Sequence, residues 1–173
     1  MAIRPILRYP DKRLRVKAKL VKAFDKALLK LFDDLAETMY SGNGVGLAAP
    51  QIGAALRVFV IDTANNDEDA PSDLRVFINP EIVRQENEIL WSEGCLSFPG
   101  IREEIERYGR IAVRARDLRG EPFELQAEGL LAVAIQHEND HLDGKLIIDR
   151  LGPLRRRLVH RAMTKRAAEA SAS

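Results

Sequence analysis

The sequence is short of several things, and each shortage excludes a class of protein. There is one cysteine in 173 residues, Cys95, so no disulfide can form within the chain. That favours a cytoplasmic protein over a disulfide-stapled secreted one. No apolar run approaches the roughly 18 residues that a membrane span requires. The opening MAIRPILRYPDKRLRVKAK is too charged, and too broken by Pro5 and Pro10, to read as a signal peptide. Neither sign of charge is in excess: 27 Lys and Arg against 26 Asp and Glu leave a formal net charge of +1. Nothing in the global charge therefore argues for a nucleic-acid binder or an enzyme for acidic substrates, and no DNA partner is expected. Histidine is scarce too, yet two of the three histidines stand four residues apart.

What remains is an ordinary soluble composition, 46% hydrophobic and 31% charged, in a chain long enough to bury a core without staples. No repeat or linker divides it, so residues 1–173 are expected to form a single domain with a basic C-terminal helix and tail from about residue 150. Leu28, Leu31, Phe32, Leu35 and Met39 recur at helical spacing and predict an amphipathic helix over 25–40. GNGVGLAAPQIG is too glycine-rich for a helix and reads as closed by Pro50. RVFVID (57–62), RVFIN (75–79), EIVRQENEIL (81–90), RIAVRARD (110–117) and PFELQAE (122–128) read as strands. TANNDEDAPSD (63–73) reads as a solvated loop, and Asp117–Gly120 as a turn. Helix returns at about Glu128 and stops at Gly144, a candidate left-handed cap. A last helix is expected from Pro153 to Ala168. Strands and helices segregate along the chain, which predicts an α+β fold.

The stretch AVAIQHENDHLDG starts as a core helix and then places ionisable groups on it. Burying such groups unpaired costs on the order of several kcal/mol each, so a partner is required. His137 and His141 share one helical face, and Glu138 sits about 100° round from the first of them. This is the H-E-x-x-H pattern: two imidazoles on one metal, with a carboxylate over a water that the metal holds. The alternative is a chance match or two satisfied core histidines, and chance supplies the pattern in roughly one of a few hundred such chains. Two imidazoles leave a metal short of a ligand. The acids downstream are Asp143, Asp149 and Glu169; the first two are too near to swing round and the third lies in the tail. A third histidine three residues after Gly144 would complete a longer motif, but Ile147 stands there. Cys95, in WSEGCLSFPG, remains: a thiolate with two imidazoles suits zinc, iron(II), cobalt or nickel. Against that stands the ordinary fate of a free cysteine, a small buried hydrophobe.

With GVGLAAPQ, EGCLS and QHENDHLDG in this order, and ILRYPDKRLR near the start, the chain resembles the bacterial peptide deformylases over nearly its whole length. The resemblance implies an α+β arrangement of small antiparallel sheets around a central metal-bearing helix. It implies a metal-dependent hydrolase that removes the formyl group from the N-terminal formylmethionine of nascent polypeptides, releasing formate. The metal it implies is one divalent ion, typically iron(II), replaceable by zinc, nickel or cobalt. By position, the metal ligands would be Cys95, His137 and His141, and Glu138 the general base. Gln51 and the backbone N–H of Leu96 would hold the developing oxyanion. The backbone around Val45 and Gly46 would pair with the substrate peptide as an added strand.

Physical chemistry is compatible with these roles but does not force all of them. A neutral amide such as Gln51 suits an oxyanion, yet it could equally close the turn after Pro50. The glycines of GVGLAAPQ could be mere turn formers, though they also permit close approach by an extended ligand. Arg102 is a candidate contact beyond the substrate's first residue, against the alternative of a solvated or ion-paired surface group. The 63–73 loop is given no role. From Arg150 to Arg166 there are seven Lys/Arg and no acid, with Leu154, Leu158, Ala162 and Met163 as an apolar stripe. That describes a docked surface helix; a basic helix can also face RNA, and the resemblance links it to the ribosome. Two rivals stand beside the deformylase reading. One is a small metalloprotease, which lacks its usual third ligand here. The other is an RNA- or ribosome-binding module with a structural metal, which would normally close all four positions with protein ligands.

Overall fold

The Asp25 carboxylate accepts the Leu28 N–H and so opens the first helix, α1 (Lys26–Ser41). Leu28, Leu35 and Met39 on one face of α1 are buried with Ile52, Val58 and Val60. The computed structural model describes residues 2–172; Met1 and Ser173, the ends of the expected 1–173 domain, lie outside the described residues. Five strands follow: β1 (Gly46–Ala48), β2 (Val58–Ile61), β3 (Arg75–Cys95), β4 (Phe98–Arg116) and β5 (Pro122–Glu128). They pair antiparallel in the order β1-β2-β3-β4-β5. Helix α2 (Gly129–Leu142) lies against β1, β2, β4 and β5, and α3 (Pro153–Ala172) ends the chain. The α+β class expected from the sequence is borne out.

Several local expectations change. GNGVGLAAPQIG is not merely a loop: it holds β1 and a 3₁₀ turn, Ala49–Ile52, with Pro50 inside that turn rather than closing the segment. The strands expected at 75–79 and 81–90 are one strand, β3. Between them Asn79, at φ 51°, and Pro80 form a register shift between Ile78 and Glu81 rather than an end to the strand. FPGIREEIERY was not expected to be a strand, because its charges hide the alternation. It is the first half of β4, with Ile105 and Arg107 inward, Glu104 and Glu106 facing out, and Glu103 half-buried against Arg155 of the last helix. Helix α3 runs past Ala168 to Ala172 and docks through Val159 and Met163. Leu154 and Leu158, expected on the docking stripe, are 67% and 44% exposed.

Two features set the position of α2. Gly144 lies at φ 73°, as expected of a left-handed stop, and a Cβ there would come within 2.4 Å of the Arg15 carbonyl oxygen. No other residue fits at that contact. At the centre of the molecule β3 and β4 form a long hairpin whose turn is Leu96–Ser97, with Cys95 paired to Phe98. Ser97 is fully buried, its carbonyl accepting the Tyr9 N–H at 3.0 Å. The hairpin tip is thereby held beneath α2.

Candidate active site

Three pieces of backbone meet at the hairpin tip: the end of β3 with Cys95, the 3₁₀ turn with Gln51, and the middle of α2. His137 and His141, one turn apart on α2, have ring centroids 5.1 Å apart. Cys95 Sγ is 3.4 Å from His141 Nε2. One donor atom each from Cys95, His137 and His141 all lie within 4.8 Å of one another. The acids considered as alternative third ligands are occupied elsewhere: Asp143 pairs with Arg57 at 3.1 Å and Asp149 with Arg15. Ile147 is buried in the core.

Behind the histidines lies a charged network that sequence reasoning missed. The His137 Nδ1–H donates to Glu93 Oε1 at 2.8 Å, which leaves Nε2 as the free nitrogen of that ring. Arg107 grips Glu93 with two hydrogen bonds, at 2.6 and 2.8 Å, and reaches Asp140 with a third, at 2.8 Å. Arg150 holds the other side of Asp140 at 2.6 and 2.8 Å. Burial works against ionised Glu93 and Asp140, yet hydrogen bonds from Arg107 and Arg150 hold both carboxyls below the usual carboxylate range. In the sequence Glu93 and Arg107 sit among so many charges that they look like surface residues. The available signal was strand alternation, which puts Glu93 on the same face of β3 as Cys95.

Glu138 is nearly fully buried, and its Oε2 has no hydrogen-bond partner among the described residues. Gly46 faces it so closely that a Cβ there would stand 3.0 Å from Glu138 Cγ and 3.2 Å from Oε2. Burial pushes the Glu138 carboxyl up to about 7, against the pull of the neighbouring His137. His137 shifts upward despite its burial, because Cys95, Glu138 and Glu93 favour its charged form. His141 shifts well downward, through burial first and His137 second.

Of the two roles that its sequence left open, Gln51 is seen in the turn-closing one. Its Oε1 accepts the Ala48 N–H at 2.9 Å, closing the turn, while Nε2 donates to Ser97 Oγ at 3.0 Å and lies 3.7 Å from Cys95 Sγ. A cleft of about 920 Å³ opens over the cluster, bordered by Val45, Gly46, Gln51, Cys95, Leu96, Arg102, His137 and Glu138. Arg102 bonds Ser92 across the hairpin (3.0 Å to Oγ) at the cleft's edge, with no ion-pair partner among the described residues. One edge of β1 is open to the cleft. Asp62 donates its N–H to the Val45 carbonyl at 2.8 Å, one step beyond the Gly46–Ile61 pair. Bonded and non-bonded pairs alternate in an antiparallel ladder, so the N–H and C=O of Gly46 point away from β2. On that same edge the Ala48 N–H is already taken by Gln51.

The donor set fits a divalent cation. A soft thiolate and two imidazoles converge within coordinating reach, one imidazole is oriented by a buried carboxylate, and the cleft leaves a side open. Comparison with known proteins agrees with this chemistry. The model of the family described as polypeptide deformylase matches residues 3–157. The peptide deformylase of Syntrophobacter fumaroxidans is 48% identical over 172 residues, covering 99% of this chain and 100% of that one. The enzyme of Chromobacterium violaceum is 46% identical, with 96% and 97% covered. The crystal structure of a peptide deformylase from Legionella pneumophila superposes with a TM-score of 0.90 at 45% identity, with 99% of each chain covered.

Proposed function

The chain belongs to the polypeptide deformylase family, metal-dependent hydrolases that remove the N-formyl group from nascent polypeptides, and we propose that Cys95, His137 and His141 hold its one divalent metal ion. The ion assigned in the cell is iron(II), and the same donors accept zinc, nickel or cobalt. Residues 1–173 act as a single catalytic domain, with α3 as an appended basic helix. Work on nascent chains puts the enzyme in the cytoplasm, and no helix among the described residues is long and apolar enough to cross a membrane.

One juxtaposition carries this reading: three donor atoms within 4.8 Å of one another, beside a buried carboxylate whose Oε2 has no partner and which faces the cleft. A divalent ion bound there supplies Lewis acidity, lowering the pKa of water and polarising the formyl carbonyl. Glu138, with its carboxyl near 7, takes the proton of the attacking water and returns it to the departing amine. In this reading the Nε2–H of Gln51, which lies beside Cys95, and the N–H of Leu96 stabilise the negative charge that develops on the formyl oxygen. Ser97 and Ala48 keep Gln51 from rotating away. The backbone around Val45 and Gly46, through the free N–H and C=O of Gly46, pairs with the backbone of the substrate, whose formylated end then lies over Cys95. The basic face of α3 is the proposed contact with the ribosome.

The reading is tested on wild-type protein purified without air. Metal analysis should give close to one equivalent of a divalent ion. A formylmethionyl peptide should release formate with its peptide bonds intact, and the acetylated analogue should react far more slowly. Internal peptide cleavage would restore the metalloprotease alternative.

A further inference from the structure

The 63–73 segment, which the sequence left without a role, is tied to the backbone that carries the free edge of β1. Asp62 is the hub of the tie and is fully buried. Its Oδ2 accepts the hydroxyls of Tyr40 at 2.6 Å and Ser72 at 2.9 Å; its Oδ1 accepts the N–H groups of Ala64 at 2.9 Å and Asp73 at 3.2 Å. Both ends of the loop and the end of α1 are thereby gathered on one carboxylate. Its own N–H takes the Val45 carbonyl, and three residues on, Asn65 donates Nδ2–H to the Gly44 carbonyl at 2.6 Å. The two carbonyls immediately ahead of Gly46 are therefore both held from the loop side. Asn66, next in the chain, borders the cleft.

The need for such a tie follows from the space around the glycines. A Cβ at position 44 would lie 2.7 Å from Leu96 Cδ1, and one at 46 would press on Glu138. A side chain at either position would displace Leu96 or Glu138, groups that line the site, so stiffening this backbone from within would disturb the site itself. Glycine backbone carries the largest conformational freedom to be lost on ordering. A peptide that pairs with the Gly46 edge would have to supply that ordering itself, unless other bonds have already done so.

We propose that Asn65 is a positioning residue for substrate: by holding the Gly44 carbonyl it fixes the Gly46 edge, so that the 63–73 loop controls affinity for the peptide beyond formylmethionine. This rests on the strand-pairing reading above. A substrate without downstream backbone gains nothing from a fixed edge, whereas a longer peptide does. The loop thus acts on the peptide's backbone, and the chemistry at Glu138 is left alone.

The experiment compares wild type with Asn65→Asp, which keeps the shape but only accepts hydrogen bonds, and with Asn65→Ala. Each is assayed on a formylmethionyl tripeptide and on formylmethionine amide. Both variants should raise KM for the tripeptide about tenfold, the worth of one well-made hydrogen bond. Their kcat, and all constants for formylmethionine amide, should stay within about twofold of wild type. Calorimetric binding of the unformylated product tripeptide to the metal-loaded protein, which cannot turn it over, should weaken by the same factor, which separates edge positioning from turnover. Equal losses on both substrates, or no change on either, would overturn the inference. A tripeptide N-methylated at the amide facing Gly46 tests the underlying reading separately. If wild type binds it as tightly as the parent, strand pairing is wrong; if it binds weakly while the Asn65 variants behave as wild type, only the role of Asn65 is wrong.

Discussion

Helices α2 and α3 both carry many polar residues, and the molecule treats them oppositely. On α2, Gln136, Glu138, Asp140 and His141 are buried. Two of these are bound in place: Gln136 exchanges hydrogen bonds with both backbone groups of Tyr108 at 2.9 and 2.7 Å, and Asp140 is held between two arginines; Glu138 Oε2 and His141 Nδ1 have no hydrogen-bond partner among the described residues. On α3 only Val159 and Met163 are buried. Among the arginines of α3, Arg156 lies along the surface on the carbonyls of Ile148, Asp149 and Leu151, Arg155 pairs with Glu103, Arg166 donates to the Pro99 carbonyl, and Arg157 and Arg161 are exposed. The cost of desolvating charge makes the first arrangement expensive and the second nearly free. A helix that keeps costly buried groups has a use for them that packing alone does not supply. The exposed groups of α3 are suited to a partner outside the molecule.

The comparison can be broken most severely at Cys95. Cys95→Ser puts a neutral hydroxyl where a thiolate is proposed, and metal content and formate release should fall together by more than tenfold. A variant that keeps full metal and near-normal turnover would remove Cys95 from the ligand set. The next effect is on stability. Arg107→Met leaves Glu93 without its main partner and weakens the hold on Asp140. Loss of one member of a buried charged set costs about 3–5 kcal/mol, which denaturant unfolding would register. A loss below about 1 kcal/mol would mean that the network is no more demanding than the surface pairs of α3. The smallest effect belongs to α3 itself. Arg157 and Arg161 have no ion-pair partner among the described residues, so changing both to Gln should alter stability by at most about 0.5 kcal/mol and leave turnover unchanged. Co-sedimentation with ribosomes should nevertheless weaken and become less sensitive to salt. Unaltered binding would leave α3 without the proposed contact.

The two helices also differ in how far their sequences could be read. In α2 the spacing of His137 and His141 made the site visible, because a 3.6-residue repeat fixes which side chains share a face. Gly144 marked the end, since its contact with Arg15 excludes every other residue. The support of that site was hidden: Glu93 and Arg107 lie on β3 and β4, and their pairing with α2 depends on a register that local pattern does not encode. Asn65 was hidden for the same reason, being one polar residue in a polar loop until its distance to Gly44 is known. In α3 composition was legible but the docking face only in part: Met163, on the expected stripe, is buried, whereas Leu154 and Leu158 are not. Leu154 and Leu158 are the more apolar-looking choice, and only the neighbouring core around Leu14, Phe98 and Ile105 selects Val159 and Met163.

The central claim is that the buried carboxylate of α2 moves protons and does not bind the metal. Glu138→Gln keeps the shape of that side chain while removing its basicity, so formate release from a formylmethionyl peptide and metal content should be measured on one preparation. The account predicts full metal occupancy, an unaltered fold and a fall in kcat of about 10²–10⁴. A variant that holds its metal and turns over at the wild-type rate would contradict it, and so would one that loses activity only because the metal is gone.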